Sequence, residues 1–119
     1  MFIKTLDDVS GSRAGDASFL KELLNPAREP LSLRCSLAHA EVSPGAATLP
    51  HRLQASEVYY ILEGRGRMHV GGEAAEVAAG QAVYIPPGET QFIENTGASR
   101  LAFLCLVDPA WTPAGEEVL

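Results

Sequence analysis

Two stretches of this chain place side chains of complementary chemistry at spacings that bring them together. In PHRLQASEVYYIL, His51 and Leu53 share one face of an extended segment, and Glu57, Tyr59 and Ile61 share one face of the next. If those faces look inward, a hairpin between them directs an imidazole and a carboxylate toward a single point. Gln91 opens the strand after the IPPGE turn, where its amide can point into the same mouth. A pocket carboxylate can move protons, and a buried tyrosine hydroxyl can act as an acid or orient a ligand. Glu57 and Tyr59 are therefore the candidate catalytic residues. A plainer reading stands beside this one. Gln91 could hydrogen-bond His51 or Glu57 and satisfy a polar pocket, because a carboxylate buried without a partner is costly.

Other residues have both a functional and a structural reading. His39 shares a face with Leu37 and Glu41, while Ala38, Ala40 and Val42 occupy the other face of LRCSLAHAEV. Facing inward it would add an imidazole to the site; the more ordinary outcome is a surface or pocket-lining histidine. His69 is expected on an outer sheet face. Phe103 and Cys105 share a face of the last strand, and Phe103 reads as core. Arg52 and Gln54 alternate away from His51, toward solvent or a subunit interface. Cys35 and Cys105 form no CxxC unit and are most simply buried free thiols; a soft metal site or redox pair would need their strands close together. No nucleophile elbow, phosphate loop or dinucleotide fingerprint occurs. What remains is chemistry that a metal or a pocket carboxylate could perform on a small molecule.

The elements that must hold these residues are short and extended. From Leu31 onward, LSLRCSLAHAEV, EVYYIL, RGRMHV, AAEV, QAVYIP, TQFIEN and RLAFLCLV alternate with SPGAA, EGRG, GGEA, AAG, PPGE and NTGAS. Strand-like runs divided by turn chemistry at regular intervals indicate an antiparallel sandwich or closed barrel. Before this, ASFLKELLN has Phe19, Leu20, Leu23 and Leu24 at helical spacing, with Asp16 as a cap and Pro26 as a stop; an extended segment along the barrel competes with that short helix. The tail DPAWTPAGEEVL is rich in breakers and reads as an irregular arm, with Trp111 packed on the barrel or on a second subunit.

Composition narrows the function classes. A chain of 119 residues supports one domain. The formal charge of −6 and the scattered nine basic residues argue against a nucleic-acid partner. No apolar run approaches the roughly 20 residues of a membrane span, and MFIKTLDDVSGS lacks the blocks of a signal peptide, so a cytoplasmic location is the default expectation.

The stretches GAATLPHRLQASEVYYILEG (45–64) and GQAVYIPPGETQFIEN (80–95) closely resemble the paired motifs of the cupin superfamily. Gly45, His51, Glu57 and Gly64 hold the spacing of the first motif, and Gly80, Pro86, Gly88 and Asn95 that of the second. Leu53 and Gln91 stand where histidines are usual. The resemblance covers about residues 32–108. PHRL, SEVYYILEGRG, IPPGETQ and FLCLVDPAW are further similar to a group of small single-domain prokaryotic cupins described as sugar-isomerase-like. It implies an all-β fold, a double-stranded β-helix of the RmlC-like jelly-roll type, preceded by a short N-terminal helical or extended segment. The expected layout is a single cupin domain over 1–119, with its barrel core at about 32–108, an N-terminal arm at 1–31 and a C-terminal arm at 109–119.

The same resemblance implies a divalent metal in the barrel mouth, held by His51, Glu57 and Gln91, with Zn, Mn, Fe or Ni as candidates. An amide in place of one imidazole and an alkyl group in place of another weaken that site. A metal-dependent enzyme, isomerase-like or dioxygenase-like, is then the leading expectation for a small-molecule substrate. The alternative is a non-catalytic cupin that binds a small sugar or acid without metal, which Leu53 favours by making the pocket more apolar. A homodimer is also implied, with the N-terminal 30 residues and the Trp111 tail as interface candidates.

Overall fold

The computed structural model describes all residues 1–119. Eleven strands form two facing antiparallel sheets. One sheet contains, in spatial order, β1 (Ser12–Arg13), β2 (Phe19–Leu24), β3 (Ser36–Val42), β10 (Leu101–Asp108), β5 (Ser56–Glu63) and β8 (Ala82–Ile85). The other contains β11 (Glu116–Val118), β4 (His51–Leu53), β9 (Gln91–Asn95), β6 (Arg65–Val70) and β7 (Glu73–Ala78). The only helical turns are two 3-10 segments, Leu6–Asp8 and Pro113–Gly115. No helix is long and apolar enough to cross a membrane.

The period-two alternation of the strands decides what lies between the sheets. Tyr59 and Ile61 on β5, Ile85 on β8, Ile93 on β9, and Leu101 and Phe103 on β10 are all 2% exposed or less and share one apolar cluster. Sheet against sheet removes these faces from water, and that burial is the main force holding the layers together.

The motif residues act on the backbone. Gly64 ends β5 with φ +82°, and a Cβ there would come within 2.5 Å of the Arg100 carbonyl oxygen, so only glycine fits. Asn95, 4% exposed, donates from Nδ2 to the carbonyls of Val42 and Ser99 and accepts at Oδ1 from the Gly97 N–H, each at 2.9 Å. One side chain thereby stitches β9 to the end of β3 and to its own following turn. At the other end, the Gly88 N–H donates to the Leu53 carbonyl at 2.8 Å, which fastens the PPG turn to β4 just before Gln91.

Both arms join the sheets. The segment 17–25 forms no helix: Phe19–Leu24 is a strand that pairs with β3, with Leu20 opposite Ala40 and Glu22 opposite Ala38. Ladder hydrogen bonds and a half-buried face outweigh helical spacing in a segment this short. Asp16 caps a turn instead of a helix, accepting at Oδ1 from the Ser18 N–H and hydroxyl at 3.0 and 2.7 Å. The tail, expected to be irregular, adds β11 along β4, because the free edge of that three-residue strand offers backbone partners.

Candidate functional site

The open end of the barrel contains a cavity of about 270 Å³. His51 reaches it from β4, Glu57 and Tyr59 from β5, and Phe103 and Cys105 from β10. The arms close its rim with Asp16, Glu22, Trp111 and Glu116. Trp111 is anchored by three hydrogen bonds: its N–H donates to Ser36 Oγ at 2.9 Å, its indole to Glu116 Oε2 at 2.8 Å, and its carbonyl accepts from Asn25 Nδ2 at 3.1 Å.

The polar core of the site spans the two sheets. Gln91 lies directly across from His51 in the β4–β9 ladder, and its side chain extends to the opposite sheet. Its Nε2 donates to Glu57 Oε1 at 2.9 Å, and its Oε1 accepts from the Tyr59 hydroxyl at 3.1 Å. Tyr59 is fixed from its other side by stacking on Phe103, with ring centroids 4.4 Å apart. Gln91, 1% exposed, is not part of the cavity wall; Glu57, Tyr59 and His51 are.

Burial sets the electrostatics. Desolvation pushes the Glu57 carboxyl up to about 8; the nearby charges of Asp16 and Glu116 add to the rise, while the hydrogen bond from Gln91 opposes it. Glu57 is therefore a neutral acid at pH 7. Desolvation also holds the Tyr59 hydroxyl and the Cys105 thiol well above their ordinary ranges, so both stay protonated. His51 Nδ1 lies 2.8 Å from the Leu49 carbonyl, a contact that orients the ring and turns Nε2 toward Asp16 Oδ2, 3.7 Å away.

His51, Glu57, Tyr59 and Gln91 thus converge. His39 does not: Ala38 and Ala40 line the cavity, and alternation sends His39 to the far face of β3, where desolvation lowers its pKa. His69 on β6 faces away from the core and stacks on Phe92 with centroids 4.0 Å apart. Arg52 points outward and pairs with Glu117 at 2.9 Å, and both cysteines are free. Asp16 was read in the sequence only as a helix cap, and Glu22 and Glu116 were not singled out. The Asp-x-Ser turn signature was the one available clue to Asp16; Glu22 and Glu116 carried none, because the arms that bring them to the cavity have no motif of their own.

The residues present do not fit the divalent metal that the motif resemblance implies. Leu53, 5% exposed and in the cavity wall, has no donor atom, and both ends of the Gln91 amide are already engaged. No three His, Cys, Asp or Glu side chains stand together as a ligand cluster.

Comparison with known proteins agrees with this architecture. The chain is 42% identical over 105 residues to the uncharacterized protein MJ1618 of Methanocaldococcus jannaschii, covering 87% of this chain and 83% of that one. It is 35% identical over 71 residues to an oxalate-binding protein of Thermotoga maritima, covering 59% of each chain. Among solved structures, a predicted oxalate decarboxylase of Thermotoga maritima superposes with TM-score 0.78 at 25% identity, over 91% of this chain and 99% of that one. The family model for the cupin domain matches residues 38–107, and the chain belongs to the cupin family.

Proposed function

We propose that this cupin binds a small molecule in its barrel mouth, between Asp16, His51 and Glu57, without a resident divalent metal. The observation that carries this reading is the pair of hydrogen bonds by which Gln91 ties Tyr59 and Glu57 across the two sheets. They engage both ends of the amide that a metal would need, while burial keeps Glu57 a neutral carboxylic acid facing the cavity. A site so arranged binds through hydrogen bonds and apolar contact, with Leu53, Phe103 and Trp111 supplying the apolar wall.

A second reading is favoured by the same carboxyl. An acid titrating at about 8 in an open cavity suits proton transfer to or from a bound substrate near neutral pH, as in an isomerase-like reaction with Glu57 as the acid and Tyr59 fixing Gln91.

Elemental analysis of protein purified without added metal or chelator tests the metal-free reading. The expected result is substoichiometric metal in both the wild type and Glu57→Ala. Stoichiometric metal that disappears in Glu57→Ala would overturn it.

A further inference from the structure

An antiparallel sheet with one wet face alternates apolar residues inward with polar residues outward. The second sheet obeys this rule: Arg65, Arg67 and His69 face outward on β6, and Glu76 on β7 pairs with Arg67 at 2.8 Å. β5 and β10 of the first sheet break it. Their inward residues, among them Tyr59, Ile61, Phe103 and Cys105, are core or cavity wall, yet Val58, Tyr60, Leu62, Leu104 and Leu106 on the outward face are apolar as well. Cross-strand register sets Leu106 between Leu37 and Val58 and sets Val58 beside Tyr84, so an apolar row runs unbroken from β3 through β10 and β5 to β8. Tyr60 and Leu104 are partners in the next row. Tyr60, Leu62, Tyr84 and Leu106 are between 39% and 63% exposed. A strand apolar on both faces is ordinary only where both faces are covered, and a contiguous exposed patch of this kind marks an interaction site.

The chain covers only one side of this face itself. The N-terminal segment crosses β2, where the Leu6 carbonyl accepts from Lys21 Nζ at 3.2 Å, and His39, the cross-strand partner of Lys21, is 5% exposed. β10, β5 and β8 lie beyond its reach. The arms are otherwise spent within the chain, as β1, β2 and β11, with Trp111 tied to Asn25, Ser36 and Glu116. The charges at the two ends of the patch are spent as well: Arg100 bonds Glu41 and Glu63 at one end, and Arg34 bonds Asp108 at the other. The patch can therefore be dried without stranding a charge.

We infer that a second copy of this chain covers the patch, outer face against outer face, in an isologous dimer centred on β10, β5 and β8. A partner with charges at this place would have to bury them unpaired, whereas a second copy brings the same uncharged surface. The area suffices. Strand spacings of about 4.8 Å and rises of about 3.3 Å over up to eight residues give β3, β10, β5 and β8 a joint face of roughly 20 Å by 25 Å. Two such faces bury on the order of 1,000 Å² in all, the lower end of a specific interface, and they place Tyr60 and Tyr84, a residue type enriched at interfaces, within the contact. The cavity lies on the inner side of the same strands, so the contact is independent of what the cavity binds.

Analytical ultracentrifugation of the full chain at pH 7 should show a reversible monomer–dimer equilibrium in the micromolar range. Tyr60→Glu and Leu106→Glu should each weaken self-association at least tenfold with unchanged circular dichroism. Tyr84→Lys, at the most exposed position of the patch, should do the same in a variant whose monomer has least to lose. Ile3→Glu on the N-terminal arm and Arg67→Glu on the outer face of the other sheet should leave the dimer intact. Nitration of the wild type by tetranitromethane, read by mass spectrometry, needs no variant: Tyr60 and Tyr84 should be protected in the dimer and react on dilution. A chain that stays monomeric throughout this range overturns the inference and leaves the face to a different protein. A dimer that survives all three patch substitutions, one lost in Ile3→Glu or Arg67→Glu instead, or one whose Tyr60 and Tyr84 nitrate as fast as in the monomer overturns it too.

Discussion

Gln91 and Asn95 occupy the two ends of one strand, β9, on the same inward face, and both are buried amides. Their partners differ in kind. Asn95 bonds only to backbone, at Val42, Gly97 and Ser99, and so closes its end of the barrel. Gln91 bonds only to side chains, Glu57 and Tyr59, beside a cavity. An amide committed to the main chain is determined by the fold, because any replacement strands carbonyls that the fold cannot move. An amide committed to other side chains belongs to a network whose members can change together. The closed end builds the domain, and the open end individualises it.

The largest expected effect tests the open end. The folded-state pKa of Glu57 lies above the ordinary carboxyl value of 4.5, at about 8, so between those limits the folded state holds a proton that the unfolded state has lost. Its contribution to stability is complete below 4.5 and falls as pH rises through 8, at a slope approaching about 1.4 kcal/mol per pH unit. Glu57→Gln removes that dependence. Urea denaturation from pH 4 to 9 should show the variant gaining on the wild type by roughly 4 kcal/mol across the range; parallel curves would show that Glu57 titrates normally.

The closed end comes next. Asn95→Ala leaves the Val42 and Ser99 carbonyls and the Gly97 N–H without their partner, which should cost roughly 2–3 kcal/mol at every pH. A loss under about 0.5 kcal/mol would place the turn's stability elsewhere. Smallest is Tyr59→Phe, which keeps the stacking on Phe103 and deletes one donor to Gln91; about 1 kcal/mol is expected, measured by the same denaturation. A cost matching that of Asn95→Ala would erase the distinction between the two ends.

The unequal legibility of the two ends has the same cause. Glycines, prolines and Asn95 act on the backbone within a few residues of themselves, so their spacing carried the motif resemblance that implied the barrel, and alternation put Glu57 and Tyr59 on one shared face without deciding which way it looks. Alternation also left His39 undecided, since which face of β3 looks inward depends on what packs against it. The helical spacing of Phe19, Leu20, Leu23 and Leu24 was real but lost to a waiting sheet edge. With that change Asp16 and Glu22 moved from a peripheral helix to the wall of the cavity.

By itself the sequence determined a sandwich or barrel of short antiparallel strands and, through the resemblance of its paired motifs, a cupin barrel in which an imidazole, a carboxyl and an amide could meet, because turn chemistry, motif spacing and side-chain alternation are all short-range features. Only the tertiary structure decided what that convergence is for. Whether Gln91 faces an ion or spends its amide on Tyr59 and Glu57, and which acids the two arms bring to the mouth, depends on contacts between residues up to about a hundred positions apart, from Asp16 to Glu116. No local pattern encodes such contacts, since they exist only when the two sheets and the arms have closed on one another.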